Sequence, residues 1–265
     1  MAETPEHSYD VTACIVTHHS DIDGLRNAIE SFNAATCNAH LDIVDNASSA
    51  DYRMQLDALA CNVIDAGSNA GFGHGHNVGL RHAPSSRYHL VLNPDVVIHK
   101  DALEDMVRTM DAHPEIGLLG PKILNPDGSI QPLNKRAPTV LDLFLRRFAF
   151  GGLKQWAPIR KRLDYFTMQD VGYDAPCEVD FMSGCFMLFR RDALEALEGF
   201  DERFFMYLED ADITRRMHAR SKVMYYPDAS ITHAWARGSH KSFKLFCVML
   251  HSMWVYFNKW GWRWW

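Results

Sequence analysis

The chain has 265 residues, 47% of them hydrophobic and 23% charged, a composition that fits a folded globular protein and excludes a disordered or collagen-like one. Asp and Glu outnumber Lys and Arg by 33 to 27, so the molecule as a whole has no field that would draw it to nucleic acid, and any affinity for an anionic surface must come from a local patch. Six scattered cysteines (Cys14, Cys37, Cys61, Cys177, Cys185, Cys247) form no CxxC pair and read as core residues of a reducing compartment. The first ten residues carry no export signal, so the expected location is the cytoplasm.

Residues 11–17 form a near-continuous β-prone run, followed by Asp21, Leu25, Ile29 and Phe32 at helical spacing: a strand, then a helix. The pattern recurs. A strand over Leu41–Val44 ends in Asp45-Asn46, and a helix is predicted over Ala50–Leu59. A short strand over Asn62–Ile64 leads into a Gly-rich turn that opens a helix near Asn77. Tyr88–Leu92, a helix from Asp101 to Met110 and Ile116–Leu119 continue the alternation, which predicts an α/β fold: a mostly parallel sheet with helices on both faces. Ligands of such sheets bind beyond the carboxyl ends of the strands. The polar clusters His18-His19-Ser20-Asp21, Asp45-Asn46, Gly67-Ser68-Asn69 and Asn93-Pro94-Asp95 all fall there.

Beyond Asn125 the alternation fades. Eight basic residues (Lys135, Arg136, Arg146, Arg147, Lys154, Arg160, Lys161, Arg162) lie between Lys135 and Asp164 against two acidic ones, a basic patch on an acidic protein. Leu141, Phe144, Leu145 and Phe148 share one side of a helix beside Arg146 and Arg147, which suits either a membrane surface or core packing with a solvated basic edge. After Asp228 there is no acidic residue, and six of the seven tryptophans lie at or after Trp235. Trp254, Trp260, Trp262, Trp264 and Trp265, with Arg237, Lys241, Lys244, Lys259 and Arg263, have the composition of an interfacial anchor. The apolar run Leu245–Phe257 is too short to span about 30 Å of hydrocarbon. Three stretches are therefore expected: 1–125, 126–235 and a C-terminal amphipathic, aromatic helical segment, 236–265.

Asn69-Ala-Gly-Phe-Gly-His-Gly-His-Asn77-Val-Gly79 follows a strand and opens a helix, so its amides could cradle a phosphate, although the spacing is not that of a dinucleotide fingerprint. His74 and His76 lack a nearby third ligand and read as loop residues. Asn93-Pro94-Asp95 offers a carboxylate at a strand end, suited to Mg²⁺ or Mn²⁺ completed by water and substrate oxygens. In Glu209-Asp-Ala-Asp212, Asp212 and Arg216 have the (i, i+4) spacing of an ion pair. Asp210 points elsewhere and has no evident partner, as a general base requires.

In order, Val16-Thr17, Asp45-Asn46-Ala-Ser-Ser, Asn69-Ala-Gly-Phe-Gly, Asn77-Val-Gly79, Leu92-Asn-Pro-Asp95, Ser183-Gly-Cys-Phe-Met-Leu, Gly199-Phe-Asp-Glu-Arg-Phe-Phe-Met-Tyr-Leu-Glu-Asp-Ala-Asp212, and His233 with Gly238-Ser239 resemble glycosyltransferase family 2, and within it the bacterial rhamnosyltransferases. The resemblance runs from about residue 11 to 260. It implies a GT-A (Rossmann-like) fold, a nucleotide-sugar donor, a divalent metal (Mg²⁺ or Mn²⁺) and inversion at the anomeric carbon. By position it assigns Thr17, Asp45 and Asn46 to base and ribose, with Asn69, Gly71 and Asn77 completing that pocket and Asn93 and Arg216 on the donor. Asp95 matches the second acid of the D-x-D motif, with Asn93 where the first often stands. His233 matches a metal- or diphosphate-holding histidine, and Asp210 the catalytic base.

The expected activity is transfer of a sugar, L-rhamnose from dTDP-rhamnose foremost, to a lipid-linked glycan acceptor of O-antigen or cell-wall synthesis by an enzyme peripheral at the inner face of the plasma membrane. A UDP- or GDP-sugar donor, a noncatalytic nucleotide-binding module and a nicotinamide-dependent oxidoreductase are the alternatives.

Overall fold

In the computed structural model, which describes residues 7–59, 61–149, 151–234 and 243–265, strand β1 (Tyr9–Thr17) is the hub of the first half. Ala13 and Ile15 face one side of it and Cys14 and Val16 the other, all buried, so both faces demand a helical cover. Helix α1 (Ile22–Asn33) supplies one cover: Asp21 caps it by accepting from Gly24 N at 2.7 Å, and Leu25, Ala28, Ile29 and Phe32 bury its inner stripe. The alternation continues through β2 (Ala39–Asp45), α2 (Ala50–Asp57), β3 (Asn62–Asp65), α3 (Phe72–His82), β4 (Ser86–Leu92), β5 (Val96–Ile98), α4 (Ala102–Ala112) and β6 (Ile116–Leu124).

The second half adds α5 (Val140–Phe148), α6 (Gly151–Gln155), α7 (Ala157–Phe166), β7 (Cys177–Glu178), β8 (Phe186–Arg190), α8 (Arg191–Glu195), α9 (Glu209–His218), β9 (Lys222–His233) and α10 (Phe243–Trp260). One sheet joins everything in the order β3-β2-β1-β4-β8-β6-β9-β5, with β7 on β9. The pairs β2–β3, β1–β2, β1–β4 and β6–β9 are parallel, as the alternation predicts. Strand β8 enters between β4 and β6 antiparallel to both, and β5 and β7 run antiparallel to β9. The sequence reading did not contain β5, β7, β8 or β9. Their effect is to bring Asn93, Cys185 and His233 to one end of the sheet, since β4 pairs β8 up to Leu92↔Phe186 and β5 pairs β9 at Val96↔His233.

Helix α10 packs Val255, Tyr256 and Phe257 against Phe204, Leu208 and Ala211, so the C-terminal segment is part of the core around α9. None of the described helices is long and apolar enough to cross a membrane. Trp235, Arg237, Gly238, Ser239 and Lys241 fall outside the described residues, as does the Lys154 side chain.

Candidate functional site

Three of the expected polar clusters meet at the carboxyl ends of the parallel strands. At the end of β1, Thr17 Oγ1 lies 2.8 Å from the Tyr52 hydroxyl. At the end of β2, Asp45 is buried, accepts from Ser48 N at 3.1 Å and lies 3.9 Å from Arg53 Nη1. Beside it, Asn46 Nδ2 donates to Gly71 O at 2.9 Å, while Asn46 Oδ1 is buried without a hydrogen-bond partner among the described residues. A buried acceptor left free in a rim of polar groups invites a ligand donor. Asn69 is half-exposed next to this rim.

Two glycines of the Asn69–Gly79 segment are required by close packing. Gly71 has φ +112°, and a Cβ there would fall 2.2 Å from Phe205 O, so only glycine lets the loop meet the chain before α9. A Cβ on Gly79 would fall 2.3 Å from Cys14 Sγ, so its absence lets α3 lie directly on β1. The amide of Phe72, at the start of α3, is already spent on Phe205 O at 2.9 Å. His74 and His76 are helical, not loop residues. His74 pairs with Glu202 at 2.8 Å. His76 is buried against the Phe72 and Phe200 rings, with burial, reinforced by His89, driving its proton affinity well below the ordinary imidazole range.

Two side chains expected on the donor have a different task here. Asn77 exchanges hydrogen bonds with the backbone of Phe200 (2.8 and 2.9 Å) and also donates to Glu202 at 2.9 Å. Arg216 pairs with Asp212 at 2.8 Å and donates to the carbonyls of Leu197 and Gly199. Both brace the 197–202 loop.

Asp95 and His233 do come together. His233 Nε2 stands 3.4 Å from Asp95 Oδ1, and the histidine is buried while the carboxylate is 31% exposed. Gln131 fixes the ring, because its Nε2 donates to Asn125 Oδ1 at 2.7 Å and its Oε1 therefore accepts from His233 Nδ1, also at 2.7 Å. With Nδ1 as donor, Nε2 is the nitrogen turned towards the carboxylate, and the two groups are placed so that they could hold a divalent cation. No cluster of three or more His, Cys, Asp or Glu of metal-binding geometry occurs among the described residues. A carboxylate and an imidazole, with the remaining positions taken by water and diphosphate oxygens, fit the sparse protein ligation of Mg²⁺ or Mn²⁺.

The segment Ser183–Cys185 connects this pair to Asp210. Asn93 N donates to Cys185 O at 2.9 Å, and Gly184 N donates to Asp210 Oδ2 at 3.2 Å. The Cys185 thiol, pushed up to about 12 chiefly by burial, is within electrostatic reach of Asp95, Lys135 and Asp210. Asp210 lies in the first turn of α9, and its Oδ1 also accepts from Ala211 N at 3.0 Å. It is presented by two consecutive non-glycine residues in the left-handed region, Tyr207 (φ +73°) and Leu208 (φ +64°). Such a turn costs about 1–3 kcal/mol per residue and persists where packing imposes it. Here α10 imposes it: Leu208 is buried against α10, and Ser252 Oγ donates to Met206 O at 2.7 Å.

The electrostatics of this corner were not legible as such in the sequence. Burial raises the pKa of Asp210, opposed by Lys135, by the Gly184 and Ala211 amides and by Arg146. Its neighbour Glu209 is held well above the carboxylate range by burial and then by Asp210. Lys135 is buried and brought down to about 7 by desolvation and Arg146, against the pull of Asp210, Cys185 and Glu209. Two members of the expected basic surface patch thus turn inward. Two members of the expected anchor do the same, because Lys259 Nζ lies 2.7 and 2.9 Å from the Asp212 oxygens and Trp260 Nε1 donates to Asp212 at 2.8 Å.

Comparison with known proteins agrees with this architecture. Residues 12–198 match the family model for glycosyl transferase family 2. The N-acetylglucosaminyl-diphospho-decaprenol L-rhamnosyltransferase of Mycobacterium tuberculosis is 31% identical over 180 residues, 62% of this chain and 56% of that protein, so the chain spans little more than half of that relative's length. Rhamnosyltransferase WbbL of Escherichia coli K12 is 25% identical over 235 residues, 86% of this chain and 85% of that protein. Among solved structures, GalNAc-T7 with UDP, GalNAc and Mn²⁺ superposes with TM-score 0.62 at 14% identity, covering 87% of this chain and 44% of that one. S. aureus TarS 1-349 with UDP-GlcNAc gives 0.60 at 16%, covering 94% and 67%. These likenesses show the expected GT-A fold, and with the match over most of its length the chain belongs to glycosyltransferase family 2.

Proposed function

We propose that the chain is an inverting glycosyltransferase that moves L-rhamnose from dTDP-rhamnose to a lipid-linked saccharide in bacterial surface-polysaccharide synthesis (O-antigen or cell wall). The observation that carries this reading is that Asp210 lies across Ser183–Cys185 from the Asp95–His233 pair. The donor sugar and the diphosphate-linked acceptor are supported by the name of the M. tuberculosis relative, and rhamnose again by that of WbbL.

Thr17, Asp45 and Asn46 hold base and ribose, with Asn69, Gly71 and Asn93 closing the pocket. Asp95 and His233 would hold a divalent cation, Mg²⁺ or Mn²⁺, whose charge would offset that on the departing diphosphate. A sugar hydroxyl is a poor nucleophile, and Asp210 is placed to take its proton as the new C–O bond forms at the anomeric carbon and the bond to the diphosphate breaks from the opposite face. A carboxylate whose pKa is raised by burial is a stronger base than an exposed one.

The membrane side of the reading rests on an exposed apolar surface. Phe144 and Phe148 of α5 pack on each other at 4.8 Å, Phe148 meets Phe246 of α10 at 6.0 Å, and Trp254 and Trp265 are 60% and 82% exposed. The tail residues Arg263 and Trp264 accept from Val140 N and Leu141 N at 2.9 and 3.1 Å, which ties α5 and the tail into one face. Aromatic rings beside the exposed Lys244 and Arg263 suit peripheral contact with the inner leaflet of the plasma membrane.

Release of nucleoside diphosphate from dTDP-, UDP- and GDP-sugars, with Mg²⁺ or Mn²⁺, with EDTA and with a membrane lipid extract as acceptor, tests the reading. Metal-dependent release from dTDP-rhamnose is expected. Release from another donor corrects the sugar, and donor binding without release from any of them overturns the assignment in favour of a nucleotide-binding module.

A further inference from the structure

Most cations of the 135–164 segment whose side chains are described are spoken for or face solvent. Arg136 pairs with Asp170 at 2.7 Å, Arg162 with Asp142 at 2.6 Å, Arg147 lies over the Phe148 and Phe246 rings, and Arg160 and Lys161 are exposed. Lys135 and Arg146 differ. Lys135 is held inward by a two-way backbone bridge to Phe181 (3.1 and 3.0 Å), and its ammonium lies 3.8 Å from the centre of the Phe181 ring. Arg146 lies on the side of α5 away from Phe144 and Phe148 and is half-buried. Among the described residues neither side chain forms a hydrogen bond or a carboxylate pair within 4 Å.

A guanidinium has five N–H donors in a planar fork, and withdrawing it from water without an acceptor is costly. Two such cations repel one another, and Arg146 adds to the desolvation that lowers the proton affinity of Lys135. The Asp210 charge acts on both and relieves part of that repulsion, yet the hydrogen bonds of its oxygens go to Gly184 N and Ala211 N. The corner is therefore built to receive an anion that the protein does not supply. It adjoins Asp210, because Phe181, over which the Lys135 ammonium lies, packs in one cluster with Leu208 and Ala211 of the α9 start and with Leu143 of α5, and the helix that carries Arg146 inward carries Phe144 and Phe148 outward.

We propose that Lys135 and Arg146 form an anion subsite for the acceptor, one that takes the diphosphate of a lipid-linked saccharide while its hydrocarbon chain runs out over the Phe144–Phe148 face. Arg146 supplies the bidentate fork that phosphate oxygens fit, and Lys135 the point charge. With the diphosphate held there, the sugar attached to it is directed towards Asp210, which feels the charge of both cations. Recognition of the acceptor is thereby separate from recognition of the donor diphosphate, which uses the Asp95–His233 side. The inference rests on the transfer reading above for the identity of the acceptor, not for the existence of the site.

The test is equilibrium binding of geranyl diphosphate, geraniol and inorganic pyrophosphate to the full chain in EDTA, without nucleotide, so that the donor side holds no metal-bound diphosphate. Geranyl diphosphate should bind at least tenfold more tightly than geraniol or pyrophosphate. Arg146→Gln should weaken it at least tenfold, Arg146→Lys by less, and Arg160→Gln, at an exposed cation, should leave it unchanged. A thermal melt of each variant accompanies the titration, and Lys135→Met provides a second route to the same loss if Arg146→Gln does not fold. Equal affinity in wild type and Arg146→Gln overturns the proposal. Pyrophosphate binding as tightly as geranyl diphosphate overturns the lipid-linked assignment and leaves a site for free anions. The assay uses neither donor nor turnover, so a chain that passes it and releases no nucleotide refutes the transfer reading alone.

Discussion

Asp210 and Asp212 stand two residues apart on α9, and their surroundings are opposite. Asp212 is fully buried, and its oxygens are saturated by Arg216, Lys259 and Trp260, three donors delivered by α9 itself and by α10. Among the described residues the Asp210 oxygens accept from two backbone amides, and the cations near it, Lys135 and Arg146, form no ion pair with it within 4 Å. A carboxylate whose acceptor sites are all filled by fixed partners holds elements together and has no capacity left for a substrate proton. One held by backbone, with unspent charge around it, keeps that capacity. The lesson is that saturation of hydrogen-bonding sites, rather than residue type or position on the helix, separates the structural acid from the chemical one.

The largest effect expected from breaking this contrast is on chemistry. Asp210→Asn should reduce turnover by roughly 10²–10⁴-fold, the usual contribution of a positioned base, with donor affinity within about twofold of wild type. Single-turnover release of nucleotide checks it, and near-wild-type turnover would mean that another group takes the proton. Asp212→Ala should do the reverse. Removing the anion leaves Arg216 partly buried without its carboxylate and Lys259 with Asp201 alone, a loss of about 3–5 kcal/mol that urea denaturation would record, with a Tm lower by roughly 10 °C. If Asp212→Ala were as stable as wild type yet inactive, the division of labour between the two acids would fail.

Much of the fold was legible because it depends on local periodicity. Leu25, Ile29 and Phe32 announce α1, and the polar ends of β1, β2 and β4 mark the rim where Thr17, Asp45 and Asn93 lie. The antiparallel insertion of β8 was not legible, since a short buried strand looks the same in either direction. The charge corner was hidden for a related reason. Lys135 and Arg146 reach Asp210 from a separate stretch of chain, and in sequence they merge with neighbours that face solvent. The glycines of α3 were ambiguous in another way: their spacing suits a phosphate loop and close helix–sheet packing equally, and the packing shows only in the structure, where a Gly79 Cβ would fall 2.3 Å from Cys14 Sγ. Trp260 and Lys259 likewise share the composition of the exposed tail and belong to the Asp212 clamp.

The smallest effect is the most direct measure of the unspent charge. Lys135 opposes the burial that raises the pKa of Asp210, so its positive charge favours the basic form of that carboxylate. Turnover through Asp210 needs the deprotonated form and therefore falls as pH drops through its pKa, which burial raises from that of an exposed aspartate. In Lys135→Met the carboxylate loses a stabilising cation, its proton affinity rises, and the acid limb of kcat moves to higher pH by on the order of one unit, equivalent to about 1.4 kcal/mol. Measuring kcat at saturating acceptor keeps weaker acceptor binding out of the comparison. In Lys222→Met, which removes a half-exposed cation near Glu115, the limb should stay where it is in the wild type. A limb that is unmoved in Lys135→Met, or moved towards acid, would show that the two cations do not act on Asp210, and the asymmetry between the two acids of α9 would then rest on hydrogen bonding alone.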